Sequence, residues 1–481
     1  MPLESKTKSI HEPAREVPVA AEVDVLVAGG GVAGIAAAVG AARAGVDTLL
    51  VEQLGFLGGT ASGTMMLVIT YHERHLHGLA RQLLHRMAQE DGAVEGAVVS
   101  FDPESYKKVA LEMVVESGAR PLLYTQTVAP IMEGDTIKGL IIENKAGRQA
   151  LLAKAVIDCT GDADVAFRAG AQLRKGRETD GRIRPMTMIF RMGNVNYAPL
   201  LKYLADRPDQ FSPEPTMRLL DPETDVIRLF GFYDLVAEAK AKGLVNQDTH
   251  YLRLEGGSIK HGIAVINTTR IYDVDGTDPF DLTRAELEGR RQVQQVRAFL
   301  RALVPGFERS VLLDTSTYLG IRETRHVVGD HTLTAEEVRA DAGAPDAIGR
   351  AYTTIAPGSI THPPERNEGT PSNVTYRMPL PILSYDIPYG MTVVKGLNGL
   401  LVAGRNASAT NEAFESCRGM ATCMHMGFGA GIAAAVAVQA GVAPRQVNIG
   451  EVQRLLAAQG VAVGKGARGV LAAPLPRRAQ D

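Results

Sequence analysis

The stretch DVLVAGGGVAGIAAAVGAARAGVDTLLVEQLGFLGGT, residues 24–60, decides the fold. Residues 23–28 are a short apolar run rich in β-branched side chains, the pattern of a buried parallel strand. Gly29, Gly31 and Gly34 then form G-x-G-x-x-G. Residues 35–44 are mostly alanine and glycine, a helix thin enough to lie close on a sheet. Gly45 is placed to end it, and residues 48–51 make the next strand, closed by Glu52. Such a unit suits a dinucleotide. The first glycine permits the tight turn, the second lets backbone approach a pyrophosphate, and the third allows close helix–strand contact. The helix N-terminus adds free N–H groups and a positive dipole end. Glu52 follows Gly31 by 21 residues, where a carboxylate accepts ribose hydroxyls. The glycines alone are a weak signal; with strand, small-residue helix, second strand and acid they are a strong one.

The chain has 481 residues, enough for two or three domain-sized units. A net charge of −3 without basic runs argues against nucleic acid and anionic membranes as partners. Three cysteines in this length make no disulfide framework and point to a reducing compartment. The polar N-terminus has no apolar core of a secretory signal. The most apolar later stretch, residues 427–440, reads as too short and glycine-rich to span a bilayer. The expectation is a cytoplasmic protein acting on a small molecule, with homo-oligomerisation left open.

Helices are expected at residues 74–90, 102–117, 281–304 and 451–459. Thr283 and Glu286 have capping-box spacing in the third. Strands separated by turn dipeptides between residues 121 and 158 read as a β-meander. It ends in VIDCTGDADVAFRAG, residues 156–170, a strand, a Thr160–Gly161–Asp162 turn and a helix start. Asp162 reads either as a helix N-terminal acid or as a group facing a cofactor at the same sheet edge. Residues 340–379, rich in Pro, Gly and Thr, read as an irregular loop. Gly427, Gly429 and Gly431 are expected to open an alanine-rich helix. His72, His75, His77 and His85 invite a metal reading, but no cysteine or organised acids accompany them, and no metal is expected.

The opening unit, GFLGGT, DCTGDADVAFRAG and residues 400–431 (LLVAGRNASATNEAFESCRGMATCMHMGFGAG) together resemble the FAD-dependent oxidoreductase family, related to the fumarate reductase flavoprotein and glutathione reductase-like folds. NTTRIYDVDGTDPFDLTRAELEGRRQ (267–292) and YLGIRETRHVVGDHTLT (318–334) resemble it more specifically. The resemblance implies an α/β fold: a discontinuous Rossmann-like FAD/NAD(P)-binding domain, residues 22–171 and 381–460, with an inserted α+β substrate domain, 172–380. Residues 1–21 and 461–481 are expected as tails. It implies noncovalent FAD. Gly29, Gly31, Val32, Ala33 and Gly34 would meet the pyrophosphate, and Glu52 with Gln53 the adenosine ribose. Gly58, Gly59 and Thr60 would follow the ribityl and isoalloxazine, Val128 would give a backbone contact to adenine, and Gly161 and Asp162 would close the pyrophosphate side. Gly404, Arg405 and Asn406 replace the Gly-Asp of many relatives, which leaves the ribityl contact to Asn406 or a backbone group. The helix opened by Gly427 and Gly431 would turn its positive end to the reduced flavin.

Hydride transfer needs a substrate held over the ring, a group for the coupled proton, and cations if the substrate is a carboxylate. Arg322, Arg325 and Arg418 are the anion-clamp candidates; the alternative is pairing with Glu323, Glu412 or Glu415. His425 and His326 are proton-transfer candidates, set against a packing role. Asn411 stands where relatives often carry histidine. Tyr385 and Tyr389 are further candidates. Cys417 and Cys423 lack the spacing of flavin disulfide reductases. The leading expectation is hydride transfer between a small organic, in one version anionic, substrate and FAD. A flavin-dependent monooxygenase and a noncatalytic flavin-binding subunit are the alternatives.

Overall fold

The computed structural model describes residues 9–69, 76–95, 98–353 and 383–464. Val19–Ala28 forms the central strand of the first sheet, parallel to Thr48–Val51 on one side and to Gly147–Asp158 on the other. Arg120–Leu122 extends the parallel set beyond Thr48–Val51. Gly147–Asp158 is long enough to serve two partners along one edge. Its first half pairs antiparallel with Thr136–Asn144, and its last three residues pair parallel with Leu400–Val402. The expected meander is therefore Gln126–Glu133, Thr136–Asn144 and Gly147–Asp158. Chain from residues 400–402 returns to the sheet at the very end where the first strand stops, and the unit built on this sheet is discontinuous.

Helix Val32–Arg43 packs between this sheet and helix Met420–Ala440. Nine consecutive residues, Ala33 to Ala41, are buried, which small side chains permit without voids. Met420–Ala440 is 21 residues long and apolar enough to cross a bilayer, but 89% of its apolar window is buried inside the protein. Its length corrects the shorter stretch read from sequence, and its apolar faces serve the core.

The inserted unit has its own sheet, ordered Arg218–Asp221, Val226–Gly231, Leu252–Ser258, Ile263–Ile266, Phe190–Gly193, Val311–Thr315 and antiparallel throughout. Helix Pro279–Leu303 belongs to the same core. Asp278 caps it, accepting from Phe280 N and Asp281 N, while Thr283 Oγ1 donates to Pro279 O, so the expected Thr283–Glu286 box does not form.

Some boundaries move. Ala150 N donates to Pro18 O at 2.9 Å, which draws residues 19–21 out of the expected tail and into the sheet. Val461 and Ala462 are buried, so the C-terminal tail begins later than 461. The inserted core runs from Met186 to Leu319, while Val327, Leu333 and Ile348 join the first core. Within the expected 340–379 loop, Ala347–Thr353 is a strand paired with Leu383–Pro388; residues 354–379 lie outside those described.

Candidate functional site

The parallel strands of the first sheet end along one edge, and a cleft opens there. Gly29 takes φ +98°, and a Cβ on it would sit 2.6 Å from Cys159 O; a Cβ on Gly34 would sit 1.8 Å from Gly29 O. Both glycines are required by backbone crowding, and neither Gly29's neighbour strand nor the helix can retreat. Gly31 meets no atom closer than 3.9 Å, and with Gly29, Val32 and Ala33 it lines the cleft. As N-cap of Val32–Arg43, Gly31 adds no side-chain cap, and the first turn carries no acid, so its N–H groups stay available to an anion.

Glu52 ends the second strand, with Gln53 beside it on the cleft. Its Oε2 accepts from Gly30 N at 2.6 Å and its Oε1 from Leu54 N at 2.8 Å. Burial raises its pKa against the lowering effect of these N–H groups. The acid thereby locks the glycine turn to the second strand and keeps a lone pair on each oxygen for a ribose.

In GFLGGT the two adjacent glycines divide the work. Gly58 N donates to Gly30 O at 2.9 Å, and a Cβ on Gly58 would meet Ser62 Oγ at 2.3 Å. Gly58 ties loop to loop and does not line the cleft. A Cβ on Gly59 would meet Gly31 Cα at 2.8 Å, so the loops touch backbone to backbone, and Gly59 and Thr60 face the opening. The register between Gln126–Glu133 and Thr136–Asn144 shifts between Thr127 and Ala129. Val128 is the residue without an opposite partner there, and it is Thr125, Gln126 and Thr127 that line the cleft.

Asp158 Oδ2 accepts from Val165 N at 3.1 Å and Ala166 N at 2.9 Å, holding the TGD turn in place. Gly161 and Asp162 line the opposite wall with Arg405. Asp162 Oδ1 accepts from Thr324 Oγ1 at 2.6 Å and from Arg405 Nη2 at 3.1 Å. Arg405 Nη1 is buried and has no partner among the described residues, a donor fitted to a phosphate or ribityl oxygen. Gly404 (φ +110°) also lines the cleft. Asn406 does not: it is fully buried, and its Nδ2 donates to Asp158 O at 2.9 Å. Of Gly404, Arg405 and Asn406, it is Gly404 and Arg405 that line the cleft.

Gly427 and Gly431 are corrected more strongly. The helix starts at Met420, and these glycines lie inside it. A Cβ on Gly427 would sit 2.1 Å from Ala33 O, and one on Gly431 2.1 Å from Ala37 O. They allow two helices to touch and present no N-terminus to a ligand. The end facing the cleft is seven residues earlier, where Arg418, Met420 and Cys423 line it. Cys159 also lines it, and burial pushes both thiols up, Cys423 to about 12, so both stay protonated.

The catalytic candidates separate. Arg418 lines the cleft, braced by Glu415 through Nε at 3.2 Å and Nη2 at 2.5 Å. Arg322 is half-buried, donates to Pro185 O, and is not a lining residue, although Ile321 before it is. Arg325 points elsewhere: it bonds Asp164 Oδ1 at 2.6 Å and Asp162 O at 2.8 Å and lies over Phe167. Asn411 is the first residue of helix Asn411–Cys417, where its Nδ2 donates to Glu323 Oε1 at 2.6 Å. His425 sits within the long helix, stacked on His77 at 3.7 Å, with His425 Nδ1 and His77 Nε2 each donating to Arg350 O, at 3.2 and 3.1 Å. Neither Asn411 nor His425 reaches the cleft wall. His326 packs on Phe414 beside Glu323, Tyr385 is fully buried against Ser416, and Tyr389 donates to Pro444 O. Among the described residues no cluster of three His, Cys, Asp or Glu is placed to hold a metal; His72 and His75 lie outside them.

Two features escaped the sequence reading. Arg184, only 4% exposed, bonds Glu323 at 2.9 Å, Glu415 at 3.0 Å and Asn411 O at 3.1 Å, and through Glu415 it is linked to the cleft-lining Arg418. No local spacing in the sequence singled it out. Tyr318 lines the cleft, its ring so near Gly63 that a Cβ there would lie 2.3 Å away. The stretch holding it was noted, but no spacing singled out the tyrosine.

A family described as FAD dependent oxidoreductase matches residues 24–456. Thiamine thiazole synthase of Methanococcus vannielii is 32% identical over 161 residues, covering 30% of this chain and 58% of that protein. The same enzyme of Saccharolobus islandicus is 29% identical over 157 residues, covering 30% and 57%. The chain thus spans under three fifths of the length of these curated relatives. Among solved structures, a geranylgeranyl bacteriochlorophyll reductase-like protein of Thermoplasma acidophilum has a TM-score of 0.45 at 13% identity, covering 91% of this chain and 84% of its own. The flavin-dependent brominase Bmp2 has 0.46 at 11%, covering 91% and 84%.

Proposed function

This chain belongs to the FAD dependent oxidoreductase family and is an FAD-dependent enzyme, and on that premise we propose that it transfers a hydride between FAD and a small organic anion. The residues fit the cofactor. Gly31 to Ala33 offer backbone and a helix N-terminus to the pyrophosphate, Glu52 takes the ribose, and Arg405 brings an unsatisfied N–H to the opposite wall. Bound FAD supplies a two-electron acceptor or donor.

The observation that carries the anionic substrate is Arg418 on the cleft wall, which Met420 and Cys423 also line. Glu415 fixes this guanidinium from behind; burial pushes the acid up, but Arg418 and Arg184 outweigh it and hold it at about 2. An ionised brace keeps the fork oriented, so a carboxylate or phosphate meets a pre-set partner. Tyr318, whose phenol burial pushes upward, stays protonated and can give a hydrogen bond or proton to a substrate oxygen. Val32, Leu319 and Ile321 line the cleft with apolar surface, which limits water around the reacting atoms.

Anaerobic mixing of the FAD-loaded enzyme with small organic acids and with matched neutral amides or esters tests this reading. Bleaching of the flavin by an acid and not by its neutral partner is expected. Reduction by neutral compounds at equal rates would remove the anion from the proposal.

A further inference from the structure

Four segments of the inserted unit are knitted into one wall beside the cleft. Met186 and Ile271 exchange backbone hydrogen bonds at 2.9 and 3.0 Å, and Thr187 and Gly320 do so at 3.2 and 2.7 Å. Arg322 donates to Pro185 O, so residues 185–187 run between Arg270–Ile271 on one side and Gly320–Arg322 on the other. Asn267 N donates to Arg253 O at 2.9 Å, and Arg253 N to Thr268 Oγ1 at 2.9 Å. This wall adjoins the cleft: Leu319 and Ile321 are lining residues, while Thr317 N donates to Gly63 O at 2.8 Å and Asn267 Nδ2 lies 3.6 Å from Met66 Sδ, on either side of the lining Thr64 in the chain.

Two guanidiniums of this wall, Arg270 and Arg322, bond only neutral oxygens among the described residues. Glu255 is shared by Arg228, at 3.3 Å, and Arg253, at 2.5 Å. Arg270 donates to the carbonyls of Asn267 and Thr269 at 3.2 and 2.6 Å and to Tyr251 Oη at 3.3 Å, and Arg322 to a carbonyl. Among the described residues neither Arg270 nor Arg322 has a carboxylate partner. Burial, and then the guanidiniums of Arg270, Arg418 and Arg253, depress Arg322 well below the ordinary arginine value. Arginine stays protonated in proteins, so the charge is held there at a cost that a counter-ion removes. Two more buried polar atoms, Asn267 Oδ1 and Thr187 Oγ1, have no partner among the described residues. The amide nitrogen of Asn267 is committed to Glu255 at 3.0 Å, which leaves its oxygen as an acceptor.

We propose that this wall receives a second acidic group, so that the substrate is a small dianion with one anionic group toward Arg418 and the other toward Arg270 and Arg322. The inference rests on the anionic-substrate reading and narrows it. Thr187 supplies a neutral donor to the same group, and Asn267 Oδ1 accepts a hydroxyl hydrogen from the ligand. Dicarboxylates and phosphate monoesters share this chemistry.

The test is equilibrium binding, which does not depend on turnover. FAD-loaded enzyme is titrated with malonate, inorganic phosphate and acetate, followed by calorimetry and by the flavin absorption spectrum. Malonate or phosphate is expected to bind about tenfold or more tighter than acetate. Malonate alone identifies a dicarboxylate site, and phosphate alone a phosphoryl site. Arg270→Gln should weaken dianion binding by a similar factor, leave acetate within about twofold, and keep FAD content unchanged. Arg270→Lys, which keeps the charge, should recover part of the loss and guards against a folding defect. Equal binding of acetate and both dianions, no binding by any of them, or dianion binding unchanged in Arg270→Gln overturns the inference. Flavin bleaching by monoanions alone would do so too while leaving the anionic reading intact; bleaching by neutral compounds would sink that reading first.

Discussion

Gly427→Ala adds one methyl group where two buried helices touch. In an isolated helix this change is favourable by about 1 kcal/mol, because alanine is the better helix former. Here the new Cβ would lie 2.1 Å from Ala33 O, whereas real Cβ contacts essentially never fall below 3.0 Å. The obstacle is a backbone oxygen in a helix buried on both sides, so no side chain can swing away. The helices must separate by about 1 Å, and the spacing at Gly431, also 2.1 Å from Ala37 O, resists that locally. Overpacking costs of about 1–3 kcal/mol are typical where side chains can adjust. With backbone as the obstacle the top of that range applies, for a net loss of about 2 kcal/mol after the propensity gain. The displaced residues, Val32 and Ala33, line the cleft. FAD affinity should therefore fall by roughly tenfold or more, since misplacement by about 1 Å is costly to an oriented site. Urea unfolding by circular dichroism and titration of apoprotein with FAD measure the two effects. Gly450→Ala is the control, since its nearest neighbour is the Asn448 Oδ1 atom at 3.3 Å; it should be neutral within about 0.5 kcal/mol. A Gly427→Ala protein as stable as the parent, with FAD affinity within twofold, would refute the close-contact argument.

Other predictions follow from the same geometry. Glu52→Gln sets an amide NH2 against a backbone N–H whichever way it turns, because both carboxylate oxygens accept one; a loss of about 1–3 kcal/mol is expected, with weaker FAD binding, and unchanged FAD affinity would count against the ribose role. Burial lowers His77 to about 4 against the bond to Arg350 O, which raises it. Between about pH 6.5 and 4 the unfolded chain takes a proton there that the folded one refuses, so stability falls with pH by about 1.4 kcal/mol per unit across that window. Urea unfolding of His77→Gln at several pH values should show a flatter slope, and an equal slope would assign acid sensitivity elsewhere. Arg325→Ala should cost about 1 kcal/mol of stability through Asp164 and Phe167 and leave KM alone, whereas Arg418→Gln should raise KM about tenfold; a KM effect from Arg325 would reverse their roles. Removing FAD should lower thermal stability, and restoring it at a hundredfold excess over Kd should recover about 2.7 kcal/mol.

Local spacing was legible wherever a single βαβ unit supplied both partners of a contact. Gly29, Gly31 and Gly34 lie within one turn of each other, and Glu52 is delivered by the next strand, so chain connectivity itself brings them together. The TGD turn and the meander were readable for the same reason. The later glycines were not: Gly427 and Gly431 looked like a helix opening because small residues mark both ligand turns and helix contacts. Which of the two applies depends on what packs opposite, and here that is Ala33 and Ala37.

The arginines make the same point. Their residue type announced anion chemistry, but only packing sorted them, turning Arg325 toward Asp164 and leaving Arg418 on the cleft. Arg184 and Glu323 are 139 positions apart, a contact no local pattern encodes. By itself the sequence determined the dinucleotide-binding βαβ unit and the first wall of the cleft, because these rest on contacts between near neighbours in the chain, while the discontinuous domain and FAD came from the family resemblance. Only the tertiary structure decided which later side chains complete the cleft, Tyr318, Arg405 and Arg418, because they meet the opening loops across hundreds of residues of chain.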